Sequence, residues 1–205
     1  MLEFIPKSHL EDYDDIERQS IMIMARAKAN MIKIDITEEE LQRIHEFAIA
    51  KAKAKYGEDN HIDDDYDEYK RAFTGMLGEV ALEKYFGVKF VDWSIGHSSK
   101  YNVSDLIHIG YKIGIKTVEF GKLPIVYKKS YYPELICVRR DMHTVILCGL
   151  AMPDVLDNNL DINFVMSHKL RNAGRKSAFT GFDQLIKIEK LTDLDPYNKY
   201  KRYTK

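Results

Sequence analysis

Cysteine is nearly missing from this chain: Cys137 and Cys148 are the only two among 205 residues. Without CxxC spacing they make no zinc motif, and they are too few for a disulfide-stapled scaffold. They lie in neighbouring candidate strands and could face each other across a hairpin. A reduced pair of buried, inert thiols is the expectation, because most intracellular chains keep thiols reduced. Long apolar runs are missing as well. The longest, such as Thr144 to Met152, falls far short of the ~20 residues that span a bilayer. The first residues, MLEFIPKSHLEDYDDIE, are acidic and lack the basic flank and apolar run of a signal peptide. A cytoplasmic protein with no membrane association is therefore expected. No GxSxG, P-loop, dinucleotide fingerprint, HxH or HExxH is found, which removes the commonest hydrolase, nucleotide and zinc-protease signatures. Internal repeats and low-complexity segments are absent too.

What is present suits one domain. The chain is 45% hydrophobic and 31% charged, close to a globular average, and is long enough to bury an ordinary core. The net charge of −1 gives no global basic signature of the kind many DNA-binding proteins carry. The distribution is less even. Seven of the eleven residues from Glu58 to Glu68 are acidic, while bases gather late, at Lys128, Lys129, Arg139, Arg140, Lys169, Arg171, Arg175 and Lys176. Such a surface could hold a phosphate backbone on one face or serve solubility alone.

The apolar pattern predicts a helix over Tyr13 to Ala29 and a half-exposed strand over Met31 to Thr37. Thr37 and Glu40 form a capping box that opens a helix ending at Gly57. In the following charged loop Asp63, Asp65 and Asp67 imitate a calcium loop. Glu68 stands at its glycine position, however, and Thr74 at its closing glutamate, so no calcium site is expected. A second helix is predicted from Tyr66 to Phe86, capped by Gly87. Four strands follow, over Lys89 to Trp93, Asp105 to Ile109, Lys112 to Glu119 and Leu135 to Arg139. The short turn Ile109-Gly110-Tyr111 would make the middle two an antiparallel hairpin. Thr144 to Leu150 would pair with Leu135 to Arg139, and Pro153 would open a short helix. LIKIEKL, near the end, reads as a strand or helix, and the basic terminus as a flexible tail. The sum is an α/β fold, a mixed β-sheet flanked by helices. Its expected parts are an N-terminal extension over 1–65, a core over 66–195 and a tail over 196–205.

Three short segments carry the chemistry: GMLGEVALEKYFG (Gly75 to Gly87), the aspartate of SDLIHIG (Asp105), and GIKT (Gly114 to Thr117). They place Glu79 on a helix, Asp105 at a strand start and Lys116 on a strand. Cleaving a phosphodiester needs a cation that polarises the phosphate and a charge that steadies the attacking water or the developing anion. Magnesium uses one or two carboxylates with waters and substrate oxygens; Asp105 and Glu79 could supply them, with Lys116 on the phosphate or the water. Each residue also has a plainer reading, as a solvated helix acid, a turn aspartate and a snorkelling lysine. The histidines add little. Trp93, Tyr127, Tyr131 and Tyr132 could stack on bases or simply pack.

From about Ala72 to Asn158 these segments resemble the PD-(D/E)XK nuclease superfamily. GxxGExALxxYFG is similar to its first core helix with the glutamate, SDLI to the strand with the metal-binding aspartate, and IKT to the strand with the lysine. LICVRR…TVILCGLAMPDV resembles a later strand and crossover helix, and GRKSAFTGFDQL a C-terminal segment of phage and restriction-type relatives. The resemblance implies a restriction-endonuclease-like core and a Mg2+- or Mn2+-dependent DNA endonuclease. Its site residues would be Glu79, Asp105 and Lys116, and a homodimer would suit double-strand cleavage. Lys128, Lys129, Lys169, Arg171, Arg175 and Lys176 would contact nucleic acid.

The pattern departs at one place. An acid, or sometimes glutamine, stands two positions before the lysine in the family, and here that position is Gly114. Glu79 is the expected replacement, with the Ile115 carbonyl as a neutral ligand. Glu119 is disfavoured because it points to the face opposite Lys116. Two other readings remain. The fold could have lost its chemistry and bind nucleic acid or a protein without cutting, or the acidic segment could mimic DNA charge in an assembly or inhibitory protein.

Overall fold

The computed structural model describes residues 13–55, 68–95 and 104–198. Gly57, the aspartates Asp63, Asp65 and Asp67 of the imitation calcium loop, and His97 lie outside these. Helix α1 (Asp15–Met24) runs into a 3-10 turn, Ala25–Asn30. Strand β1 (Ile32–Asp35) and helix α2 (Glu38–Lys55) follow. The expected capping box opens α2: the Glu40 N–H donates to Thr37 Oγ1 at 3.2 Å, and the Thr37 N–H to Glu40 Oε2 at 2.8 Å. Helix α3 (Glu68–Phe86) ends at Gly87, which takes the left-handed conformation that favours glycine. After it come β2 (Gly114–Glu119), β3 (Ile125–Tyr127), β4 (Glu134–Arg139), β5 (Thr144–Ala151), α4 (Pro153–Asn158), β6 (Leu160–Asp161), α5 (His168–Ala173), β7 (Lys176–Phe179) and α6 (Asp195–Asn198).

The central sheet has the order β1-β5-β4-β2. It is mixed: β4–β5 and β1–β5 are antiparallel, and β2 runs parallel to β4. Both faces are covered, which is why every residue of β5 is buried and its sequence is apolar throughout. On one face Ile115, Leu135, Cys137, Val145 and Leu147 pack with Ile44, Phe73, Leu77 and Ala81 of α2 and α3. On the other, Ile136, Val138, Ile146 and Cys148 pack with Met24, Val126, Phe179 and Phe182. A second sheet of order β3-β7-β6 belongs to that side. Cys137 lies opposite Leu147, not Cys148, and both thiols are free and buried on opposite faces.

Two expected strands are not strands. Residues 88–93 are irregular because Glu83 captures their backbone: its Oε2 accepts the Phe90 and Val91 N–H groups at 2.8 and 2.9 Å. Asp105 to Ile109 forms a turn and a 3-10 helix, Ile107–Ile109, ended by left-handed Gly110. There the Ile107 N–H turns back to the Ser104 carbonyl, and Asp105 spends a carboxylate oxygen on Ile115. Short polar side chains favour such local turns over a ladder. The predicted antiparallel hairpin is therefore replaced by a narrow loop leading into β2. Of LIKIEKL, only Ile186 bridges the sheet, at Leu150. Asp195 accepts from the Tyr111 hydroxyl at 2.6 Å, and Asn198 accepts from the Lys112 N–H at 2.9 Å, so α6 docks on the loop that carries Asp105.

Among the described residues no helix is long and apolar enough to cross a membrane.

Candidate active site at the edge of the central sheet

Strand β2 is the sheet's edge, so alternate N–H groups along it point away from β4. The Ile115 N–H is one of them, and Asp105 Oδ2 accepts from it at 2.5 Å. This bond fixes the Asp105 carboxylate against the outer edge of β2. An extended residue points its N–H and C=O to the same side, so the Ile115 carbonyl opens on that edge too. Burial raises the Asp105 pKa, against the lowering effects of the Ile115 hydrogen bond and the ammonium groups of Lys116 and Lys51.

Lys116, one residue on, projects to the opposite face. Its side chain is 42% exposed, and its Nζ lies 3.7 Å from Glu134 Oε2. Glu134 above all raises the Lys116 pKa, against burial, and Asp105, Tyr132 and Tyr127 add to the effect. Lys116 is thus a cation at neutral pH.

Glu134 is the residue that sequence reasoning missed. It opens β4 directly opposite Gly114 in the parallel register and is buried. Its Oε2 is buried with no hydrogen-bond partner, only the longer ion pair with Lys116. Burial raises its pKa, Lys116 opposes that, and Asp105 raises it further. An unsatisfied buried carboxylate oxygen is costly and calls for a ligand. A signal was present in the sequence, since an acid at the head of the apolar run LICV has to be buried or partnered.

Gly114 becomes intelligible here. A Cβ at that position would lie 2.8 Å from Cε2 of Tyr132 and 3.5 Å from Cγ of Glu134. No side chain fits without moving Tyr132, and the space an acid at 114 would use is taken by Tyr132 and Glu134. The carboxylate beside Lys116 comes from the neighbouring strand.

Glu79 approaches Asp105 from α3. The preceding residue, Gly78, lets the helix press on β2: a Cβ there would be 1.7 Å from Thr117 Oγ1. Burial, then the neighbouring Asp105 carboxylate, push Glu79 up to about 8, with Lys51 opposing and Asp92 and Glu83 adding. Asp105 therefore stands between two groups, Glu79 with Lys51 on the helix side and Lys116 with Glu134 on the strand side. The residue against Lys116 is Glu134, not Glu79. Glu119 is turned away as alternation requires, pairing with Lys122 and Arg139.

Among the described residues no three His, Cys, Asp or Glu side chains converge on one point. The donor set nevertheless suits a hard cation: carboxylates raised by burial and mutual repulsion, one with an orphaned oxygen. Magnesium needs only one or two protein carboxylates, and Asp105 and Glu134 are the pair nearest the lysine in effect.

Of the basic residues, Lys128, Arg175 and Lys176 gather where β3 meets β7. The Lys128 N–H donates to the Arg175 carbonyl at 3.1 Å, and Lys176 Nζ lies 4.8 Å from the Tyr127 ring centroid. Lys129 follows, exposed. Arg171 is held elsewhere, its Nε and Nη2 donating to the Val165 carbonyl at 3.1 and 2.6 Å. Lys169 is exposed on α5, and His108 is exposed on its 3-10 turn.

No protein-family model, curated protein or solved structure matches the chain.

Proposed function

We propose that the protein is a metal-dependent DNA endonuclease of the PD-(D/E)XK type, with a restriction-endonuclease-like core. The observation that carries this reading is the Lys116–Glu134 pair at 3.7 Å, in which Glu134 keeps an unsatisfied buried oxygen beside Asp105. Asp105 and Glu134 would hold Mg2+ or Mn2+, with Glu79 as an outer carboxylate and the Ile115 carbonyl as a neutral donor. The bound ion supplies the charge that polarises the phosphate and acidifies a water. Lys116, kept protonated by Glu134, cannot take a proton from that water; it donates to the scissile phosphate and offsets the charge that builds there. The Ile115 bond holds Asp105 in place through the reaction, and Tyr132 and Glu134 together fill the space over Gly114. Hydrolysis is direct, with no covalent intermediate. The alternative of a decayed, non-cleaving fold finds less support, because Gly114 is where Tyr132 needs room and an acid stands opposite it.

The test is cleavage of supercoiled plasmid and single-stranded DNA with magnesium or manganese, comparing wild type with Lys116→Ala and Asp105→Ala. Metal-dependent cutting lost in both variants is the expected result. Folded protein that cuts with neither metal overturns the reading.

A further inference from the structure

Tyr131 is 71% exposed and Tyr127 57%. Neither sits on loosely held chain. Ser130 is buried, and its N–H donates to Asp157 Oδ1 at 2.8 Å. On the other side of Tyr131, Tyr132 packs on Gly114, and the Pro133 carbonyl accepts the Gly114 N–H at 2.9 Å. Tyr131 is thus held out into solvent from a segment pinned at both ends. Tyr127 ends β3, paired with Lys176 across the antiparallel ladder, and the Lys176 ammonium lies 4.8 Å from its ring centroid. Lys128, Lys129 and Arg175, all exposed, flank the two rings.

The surface also adjoins the candidate active site. Tyr127 and Tyr132 contribute to the electrostatic environment of Lys116, and only Tyr132 and Pro133 separate Tyr131 from Glu134 along the chain. Two exposed rings interleaved with cations, beside a phosphate-directed lysine, match what an unpaired strand requires: π-faces for its bases and ammonium groups for its backbone. A duplex stacks its bases on one another and has no faces to offer these rings. A rigid mount lowers the ordering cost of binding.

We infer that Tyr127 and Tyr131, with Lys128, Lys129, Arg175 and Lys176, form a stacking platform that delivers single-stranded DNA to the Lys116 site. The inference rests on the nuclease reading for its purpose, but it is tested apart from cleavage. Binding is measured by fluorescence anisotropy in excess chelator, so that no DNA is cut, using a labelled mixed-sequence single strand and its blunt duplex. The expected result is that wild type binds the single strand at least roughly ten-fold more tightly, and that Tyr131→Ala loses roughly five- to hundred-fold of that affinity. Tyr131→Trp should keep it, duplex binding should be unchanged in both, and Tyr127→Ala should act in the same direction. Equal affinity for the two DNA forms, no binding, or a Tyr131→Ala variant that binds the single strand like wild type each overturns the platform. Single-strand binding in a protein that fails the cleavage test would keep the platform and remove the nuclease. Cleavage with unaltered binding in the tyrosine variants would do the reverse.

Discussion

Glu83 and Glu134 are both buried glutamates, 7% and 8% exposed, yet the protein treats them oppositely. The Glu83 carboxylate accepts from Lys89 Nζ at 2.8 Å and from the Phe90 and Val91 N–H groups at 2.8 and 2.9 Å. Burial works against its charge, but these bonds win and lower its pKa. Glu134 has an oxygen with no donor, and its pKa is raised. The first acid is finished by the fold. The second is left incomplete, facing a lysine at a sheet edge that solvent reaches, and on the proposed nuclease reading that asymmetry separates a structural carboxylate from a working one.

Exchanging the two roles gives the sharpest tests. Lys116→Ala or Glu134→Gln should each lower metal-dependent cleavage by roughly a thousand-fold, while Glu134→Gln moves the thermal midpoint little, because the lost pairing with Lys116 offsets the relief of burying a carboxylate. Plasmid nicking rates and thermal melts on the same preparations check both halves. Glu83→Ala should do the converse. It strips two backbone N–H groups of their acceptor and should cost about 2–4 kcal/mol in urea unfolding, with cleavage per folded molecule retained.

Glu79 adds a pH signature. Its pKa is raised from the ordinary 4.5 to about 8, so between those values the native state holds a proton that the unfolded state has released. Stability contributed by the neutral form is complete below the lower value, falls as pH rises through the window, and is gone above the upper. Glu79→Gln should abolish this decline, on the order of 5 kcal/mol between the two ends of the window, as read from urea midpoints across it. Added Mn2+ should stabilise the wild type most at the alkaline end, where the carboxylates are ionised. The smallest effect concerns position 114. Gly114→Ala should destabilise by about 1–2 kcal/mol through the Tyr132 contact at 2.8 Å, and Tyr132→Ala in the same chain should relieve most of it.

The helices and hairpin that carry the candidate site were legible in the sequence because their signals are local. The Thr37–Glu40 box, the α3 pattern closed by Gly87, the β4–β5 hairpin and proline-led α4 all read directly. Most of what escaped depends on side chains that bond outside their own element, where periodicity along one segment carries no signal. Spacing around Lys116 searches along one strand, whereas Glu134 reaches it from the parallel neighbour. Residues 88–93 are rich in apolar residues like a strand, but the Phe90 and Val91 N–H groups are taken by Glu83, a side chain on the helix before them. Asp105 was expected at the start of a strand, but its carboxylate bond to Ile115 belongs to a tight loop that leads into the next strand. The second sheet, with strands such as Leu160–Asp161 and Ile125–Tyr127, is too short for periodicity to register.

The most direct measurement is a calorimetric titration of Mn2+ into wild type, Glu134→Gln and Glu83→Gln, at a pH above the Glu79 value of about 8. If Glu134 is the working acid beside Lys116, wild type and folded Glu83→Gln bind the ion and Glu134→Gln loses it. Unchanged binding in Glu134→Gln, or none in wild type, would contradict that assignment.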